Sequence, residues 1–323
     1  MERPFPITNL LLMTQKQAFI PESELAWCQA KLKSLSDNIH LALRGQNDAV
    51  ELTLICFLAG GHLLIEDVPG VGKTTLASAF AKSLNLSHRR IQFTSDILPS
   101  DILGVSIYDP KTESFVFHEG PIFTQILLAD EINRAEPRAQ SALLEAMFEH
   151  QVSIDGITRP LPSPFMVIAT QNPVDFSGTF PLPDSQLDRF LFCITMGYPD
   201  EDDERLILRK SVQTLDIQPV LHESDLNRLL SNVDKIHASD EIIDQILALI
   251  HRTRNHASIV QGASTRAMMD LLRSAKARAL FHQRDFVLPD DITSLAITTL
   301  SHRVRLSARA TSDPETLIAS LIS

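Results

Sequence analysis

The stretch from Leu63 to Leu84 admits few folds. Leu63-Leu64-Ile65 is an apolar run of strand length, Glu66-Asp67-Val68-Pro69-Gly70-Val71-Gly72-Lys73-Thr74 follows it, and Thr75–Leu84 reads as a helix. Glycine reaches backbone conformations closed to other residues, so the segment predicts a tight turn between strand and helix. A helix starting directly after such a turn points unbonded N–H groups and the positive end of its dipole at any anion held there. Lys73 adds an ammonium at the same place, within reach of the outer phosphates of a nucleotide. The pattern G-x-x-x-x-G-K-[ST] would begin with glycine at position 67, where this chain has Asp67, while Gly72-Lys73-Thr74 is intact. By itself this segment also fits a kinase, or a helix N-terminus that reads Gly-Lys-Thr by chance.

A second segment narrows the choice. Ile126-Leu127-Leu128-Ala129-Asp130-Glu131 is an apolar strand ending in two carboxylates. Alone, an Asp-Glu pair is most simply a turn at a strand end. Beyond a phosphate loop it has a specific use. One carboxylate, Asp130, holds a magnesium ion together with the Thr74 hydroxyl, and the other, Glu131, orients and deprotonates the attacking water. Lys73 then contacts the β- and γ-phosphates, and the pair of segments implies nucleoside triphosphate hydrolysis.

The rest of the chain is consistent with a soluble α/β protein. Strand candidates are Leu63–Glu66, Ile91–Phe93, Ile126–Asp130, Phe165–Thr170 and Leu191–Met196, with helices at Thr74–Leu84 and Pro137–Glu149 between them. Alternation of this kind implies a parallel sheet covered by helices, with ligands at the carboxyl ends of the strands. Only one of the 11 glycines, Gly262, lies beyond Gly197, so the last part is expected to be mostly helix. Asp240–His251 and Thr265–Phe281 show helical spacing of apolar residues, and Gly197-Tyr198-Pro199-Asp200 reads as a hinge before a helix at Glu201–Lys210. The expected division is an N-terminal extension over residues 1–36, loosely ordered but with helix possible from Pro21, a nucleotide-binding core over 37–197 and a helical lid over 198–323.

Composition excludes several classes. A net charge of −11 disfavours a general nucleic-acid binder, and no apolar run approaches the length of a membrane span. Leu10–Met13 is too short for a signal sequence and follows Glu2 and Arg3. Cys28, Cys56 and Cys193 lie far apart in an odd number, which reads as reduced packing residues and a cytoplasmic setting. No pair of histidines has metal-ligand spacing, and His62 and His118 read as packed or solvated residues.

Three further motifs complete a set. Ile168-Ala-Thr-Gln-Asn-Pro173 is an apolar strand ending in polar side chains, Phe180-Pro-Leu-Pro-Asp-Ser-Gln-Leu-Asp-Arg-Phe190 puts an arginine before the last strand, and Gly262-Ala-Ser-Thr-Arg-Ala267 opens a lid helix. With Asp67–Thr74 and Ala129-Asp-Glu-Ile-Asn-Arg-Ala135, this order closely resembles the MoxR family of AAA+ ATPases, from about Arg44-Gly45-Gln46 to about Arg303. The resemblance implies an AAA+ core with a five-stranded parallel sheet, a smaller all-helical lid, and ATP with Mg2+ as the bound nucleotide and metal. It implies nucleotide contacts from Gln46, Asp67, Val68, Pro69, Gly70, Val71, Gly72, Lys73, Thr74 and Thr75. Asn172 resembles the sensor 1 residue, Arg189 the arginine finger that completes a neighbour's site, and Arg266 the sensor 2 residue of the lid. The residues alone leave Arg189 open to a plain ion pair with Asp188 or Asp184, and leave open whether Arg266 acts within its own subunit. Arg134 and Arg138 could also face a neighbour.

The family also carries a hairpin inserted in helix 2, matched here by Gly104–Gly120 around Asp109-Pro-Lys-Thr112, and a second hairpin, matched by Gln151–Pro160. Such hairpins face the central pore and a client, although edge hairpins with no client role fit the residues too. Gln92 or Thr94 is placed to tune Glu131. The resemblance implies a homo-oligomeric ring, expected to be a hexamer, that remodels or matures a client such as a metalloenzyme with a von Willebrand factor A domain partner. No Asp-x-Ser-x-Ser pattern of such a domain occurs in this sequence, and MoxR-type proteins typically work with a separate protein that carries it. A slow ATP-dependent switch is the rival reading, and a nucleic-acid motor, disfavoured by the acidic charge, is a third.

Overall fold

The computed structural model describes residues 20–68, 70–172, 178–209 and 217–322. Two helices, α1 (Glu22–Ala42) and α2 (Asn47–Leu58), precede β1 (Leu63–Glu66), α3 (Lys73–Ser83), β2 (His88–Gln92) and a short α4 (Pro99–Leu103). A hairpin of β3 (Gly104–Asp109) and β4 (Ser114–Glu119) comes before β5 (Ile126–Asp130), and a 3-10 turn (Ile132–Arg134) leads into α5 (Pro137–Glu149). A second hairpin, β6 (Gln151–Ile154) and β7 (Ile157–Pro160), precedes β8 (Met166–Gln171), α6 (Asp184–Leu187) and β9 (Phe192–Ile194). The chain continues through α7 (Glu201–Arg209), α8 (Glu223–Val233), α9 (Asp240–Asn255), β10 (Ile259–Gln261) and α10 (Thr265–Phe281). It ends with α11 (Pro289–Leu300), a second 3-10 turn (Ser301–Arg303), β11 (Arg305–Leu306) and α12 (Pro314–Ile322).

Five strands form one parallel sheet in the order β2-β5-β8-β1-β9. Successive side chains of a strand point to opposite faces, and both faces here are covered. Leu63 and Ile65 pack with Leu32, Leu54, Leu76 and Phe80 of α1, α2 and α3. Leu64, between them, packs on the opposite side with Leu143, Leu144 and Met147 of α5. The three central strands, β5, β8 and β1, therefore read as unbroken apolar runs in the sequence.

The two edges depart from expectation for physical reasons. β2 begins at His88 rather than Ile91, and of its residues only Ile91 is buried, because an edge strand facing solvent needs no apolar run. β9 stops at Ile194, short of Met196, because the Met196 and Gly197 N–H groups donate to the Asp67 carboxylate instead of extending a ladder.

Residues 1–19 lie outside the described residues. The boundary expected after residue 36 falls inside α1, which buries Leu25, Cys28, Leu32, Leu35 and Ile39 and packs on α2, α3 and α10. At its start Glu24 pairs with Arg228 of α8, and Arg228 lies 4.0 Å over the Trp27 ring. Beyond Gly197 the regular structure of the described residues is helical apart from the antiparallel pair β10 and β11 and a single parallel bridge between His237 and Phe286. There Gly262 is required, since a Cβ would stand 2.6 Å from the Arg254 Cα. The three cysteines are free thiols. Among the described residues no helix is long and apolar enough to cross a membrane.

His62 ties β8 to α5 at the foot of the sheet. It is buried, accepts the Val167 N–H at Nδ1 (3.0 Å), and so presents Nε2–H to the Met147 carbonyl at 3.1 Å. Burial pushes its pKa down to about 4, with the carbonyl partner opposing and His150 adding slightly. The unfolded chain therefore binds a proton below about pH 6.5 that the folded chain refuses until about pH 4. Stability is full above pH 6.5 and falls as pH drops through that window, by about 3 kcal/mol in all from this residue. In His62→Gln, whose amide offers one donor and one acceptor, urea unfolding between pH 7 and pH 4 is expected to show an acid slope shallower by about one proton. An unchanged slope would remove His62 from the account.

Candidate active site

The parallel register brings the predicted motifs to one edge. Asp130 ends β5, and Asp67, Glu131 and Asn172 follow the carboxyl ends of β1, β5 and β8, with β8 lying between the other two strands. Between β1 and α3 the loop turns through Gly70 (φ +94°) and Gly72 (φ +103°), conformations that side chains bearing a Cβ rarely adopt. At Gly72 a Cβ would also meet the Leu43 side chain at 2.8 Å. Helix α3 starts at Lys73, so its free N–H groups open onto the loop.

A cavity of ≈ 610 Å³ lies there, lined by Gly70, Gly72, Lys73, Thr74, Thr75, Arg90, Gln92, Thr94, Asp130, Glu131, Arg134 and Asn172. The Lys73 ammonium donates to the Asp67 carbonyl at 2.7 Å. Burial pushes its pKa below the ordinary lysine value, while the carboxylates of Asp130, Asp67 and Glu131 pull the other way. Thr74 and Thr75 are exposed to the cavity, and Thr74 and Asp130 offer a hydroxyl and a carboxylate for a hard cation. Two glycines in left-handed geometry, a helix N-terminus and an ammonium form a cradle that fits a polyphosphate and its magnesium ion.

The carboxylates are already engaged. Asp130 accepts the Thr170 hydroxyl at 2.6 Å on one oxygen and Arg90 at 2.6 and 3.2 Å on the other. Arg90 also donates to Gln92 Oε1 at 2.8 Å, and Gln92 Nε2 in turn donates to Glu131 at 2.7 Å. Arg134 Nε stands 3.2 Å from the same Glu131 oxygen. The Glu131 backbone is left-handed (φ +58°), a strained conformation for a residue with a side chain, and its N–H is caught by Thr170 Oγ1 at 2.9 Å. Of the two residues placed to tune Glu131, Gln92 makes the contact, whereas Thr94 turns to Asp96 at 2.6 Å.

Other predicted residues lie elsewhere. Gln46 is buried and donates to the Gly197 carbonyl at 3.0 Å, so its amide serves the hinge and does not line the cavity. The Asp67 carboxylate accepts Val68 N–H at 2.7 Å, Met196 N–H at 2.8 Å and Gly197 N–H at 2.7 Å, and Val71 is buried. Pro69 lies outside the described residues. Arg189 and Arg266 are absent from the cavity. Arg189 donates to the Leu144 carbonyl and stands 5.7 Å from the Phe148 ring, on which Arg266 stacks at 4.4 Å. Arg266 also reaches Asp188 at 3.8 Å, and Asp184 pairs with Arg305 at 3.7 Å. Arg189 therefore makes neither of the ion pairs left open by the sequence.

A profile of the ATPase family associated with various cellular activities (AAA) matches residues 62–192, and an AAA lid domain profile matches residues 251–321. Chaperone MoxR1 of Mycobacterium tuberculosis is 40% identical over 287 residues, covering 85% of this chain and 76% of its own. The chain belongs to the MoxR family of AAA+ ATPases. YeaC, an uncharacterised protein of Bacillus subtilis, is 48% identical over 277 residues, 85% of this chain and 87% of YeaC. The crystal structure of a candidate ATPase from Cytophaga hutchinsonii, 37% identical, covers 93% of this chain and 96% of that one with a TM-score of 0.86. The MoxR-type chain is thus an ATPase, and its nucleotide-binding fold is the one described above.

Two residues of this site escaped the sequence reading. Arg90 sits on the edge strand β2, whose register sets Gln92 against Asp130 and Arg90 against Leu128. Because strands repeat every second residue, Arg90 and Gln92 share a side, and that period was the available signal. Phe148, the ring shared by Arg189 and Arg266, gave no signal beyond its place in a helix. Asp67 was legible as a departure from pattern but not as a clamp. Restoring the pattern with Asp67→Gly is expected to lower stability by about 2 kcal/mol, because three backbone donors lose a charged acceptor. A urea midpoint equal to or above that of the unmodified protein would contradict the clamp.

Proposed function

We propose that this ATPase works as a ring, a hexamer, in which each nucleotide site is completed by the next subunit, and that hydrolysis drives remodelling or maturation of a protein client. The observation that carries the reading is the placement of arginines. Within the cavity, Arg90 is committed to Asp130 and Arg134 lies beside Glu131. Arg189 and Arg266 gather instead on Phe148, away from their own cavity. MoxR-family AAA+ proteins oligomerise. Two always-charged, phosphate-matching side chains on one outer face suit a neighbour's γ-phosphate, so both act across the interface.

Within a site, Lys73 holds the β- and γ-phosphates, and the N–H groups from Gly70 to Thr75 cradle them. Thr74 and Asp130 would hold a magnesium ion, which when bound would neutralise charge on the phosphate oxygens. Glu131 orients and deprotonates water, and Asn172 reports the γ-phosphate. Gln92 keeps the Glu131 carboxylate turned aside until the site is filled, which limits idle turnover. Gln46 and Asp67 act indirectly, by tying the phosphate loop to the hinge at Gly197.

The client surface is the cleft between the hairpins β3–β4 and β6–β7. It has a volume of ≈ 640 Å³ and is lined by Phe115, Phe117, Ile154 and Ile157, with Arg159 stacked 3.9 Å over Phe117. Phe115 is 72% exposed and Ile157 56%, values that mark an apolar surface awaiting a partner. A von Willebrand factor A domain protein is the expected partner and a metalloenzyme the expected class of client.

Glu131→Gln is expected to bind ATP normally and to hydrolyse it at least about a hundredfold more slowly, since the water loses its base. Turnover near that of the unmodified enzyme would remove Glu131 from that role. Arg189→Ala is expected to be inactive alone and to regain activity in rings mixed with Lys73→Ala, which lacks a working site but donates an intact arginine. Absence of recovery in rings shown by native mass spectrometry to be mixed would contradict action across the interface.

A further inference from the structure

Arg189 is held at both of its chain neighbours by residues beyond the hinge. On one side, Asp188 closes α6, and its two carboxylate oxygens lie 2.9 and 3.1 Å from the Ser264 hydroxyl. Ser264 is the N-cap of α10, and its oxygen accepts the Ala267 N–H at 3.0 Å, which leaves the hydroxyl proton for Asp188. Arg266 at 3.8 Å and Arg303 at 3.7 Å stand around the same carboxylate. On the other side, the Phe190 carbonyl accepts Arg303 Nη2 at 2.5 Å and His302 Nε2 at 2.9 Å. Arg303 is fully buried at its side chain and pairs with Asp270 of α10 at 2.8 Å.

These contacts link three separate pieces of chain, α6, α10 and the turn after α11, around one short segment. Each is an expensive contact to break. A buried guanidinium that loses its acceptors is left with an uncompensated charge, and a cap whose hydroxyl loses its acceptor keeps an unpaired donor. The segment Asp188–Phe190 therefore moves with α10 or not at all. The lid, in turn, is joined to the phosphate loop through Asp67, whose carboxylate holds Met196 and Gly197 at the hinge.

We propose that Asp188 and Arg303 are positioning residues that slave Arg189 to the lid of its own subunit, so that the nucleotide state of one site sets how well that subunit serves the site beside it. The chain of contacts runs from phosphate loop to hinge, from hinge to lid, and from lid through Asp188 and the Phe190 carbonyl to Arg189. It rests on the reading that Arg189 acts across the interface.

The test compares Asp188→Asn, Arg303→Met and Arg189→Ala, each alone and each in rings mixed with Lys73→Ala, alongside ATP affinity by calorimetry. Asp188→Asn keeps an acceptor for Ser264 but removes the charge that gathers Arg266 and Arg303. Alone, the two new variants are expected to bind ATP within about twofold of the unmodified protein and to turn over at least about tenfold more slowly. Mixing with Lys73→Ala restores activity, because the intact segment then comes from the neighbour, whereas mixing with Arg189→Ala restores none. Arg303→Lys, which keeps the charge, recovers part of the lost rate. A purely structural defect would weaken ATP binding and would not be cured from the neighbouring subunit. Should Arg303→Met fail to fold, the half-buried Asp188→Asn carries the test alone. Unmodified turnover in Asp188→Asn would overturn the proposal. So would a loss in Asp188→Asn that Lys73→Ala does not repair while the control ring of Arg189→Ala with Lys73→Ala does recover. If that control also stays inactive, action across the interface has failed, and the proposal falls with it for that separate reason.

Discussion

Parallel pairing of β1, β8 and β5 is the constraint on which the rest of the site depends. Strands that run the same way end on the same edge, so whatever follows their carboxyl ends must share that edge. The register pairs Leu63 with Ile168 and Leu128 with Ile168, which sets Asp130 level with Thr170 and puts Asp67 and Asn172 two residues further along the same edge. A slip of one residue would turn Leu64, Leu127 and Val167 from one helical layer to the other. Burial of both faces forbids this, so the hydrophobic core fixes the position of the phosphate loop relative to the two carboxylates. The chemistry of the site is thus set by residues that never touch a nucleotide.

The site is held ready by charges that restrain one another. Asp130, Arg90, Gln92, Glu131 and Arg134 form one continuous chain of polar contacts, and Thr170 serves both the Asp130 carboxylate and the Glu131 backbone. The Glu131 oxygen that Gln92 and Arg134 occupy is closed to an incoming water until something displaces them. Lys73 sits beside three carboxylates and donates only to a carbonyl among its described contacts, which leaves its charge for an incoming anion. Outside the cavity, Arg189 and Arg266 meet over Phe148. Lys73, Thr74 and Asp130 line the cavity while Arg189 and Arg266 do not, and under the proposed ring it is contact between subunits that would bring the two sets together.

Much of this was legible in the sequence, and the failures have physical causes. Buried central strands announce themselves as apolar runs, so β1 and β5 were found to the residue. The edge strand β2 was not, because half of its surface faces water, and with it went Arg90. The hairpins were readable from turn residues flanked by strand-like runs. The N-terminal helix was harder, since Trp27, Lys31 and Glu24 spend their side chains on α8 and blur the apolar period. Gln46 was read by its place in a motif, and a motif does not say which way a side chain turns. The relation of Arg189 to Arg266 needed three dimensions, because 76 residues separate the Asp188 carboxylate from the Ser264 hydroxyl that helps to join them.

The most direct test of a site completed between subunits is a cryo-electron microscopy structure of Glu131→Gln with ATP and magnesium. Lys73 of one subunit is expected on the β- and γ-phosphates, with Arg189 and Arg266 of the next subunit reaching the γ-phosphate. If either arginine instead reaches the nucleotide bound by its own chain, or if the nucleotide is held with no second subunit beside it, the central claim is wrong.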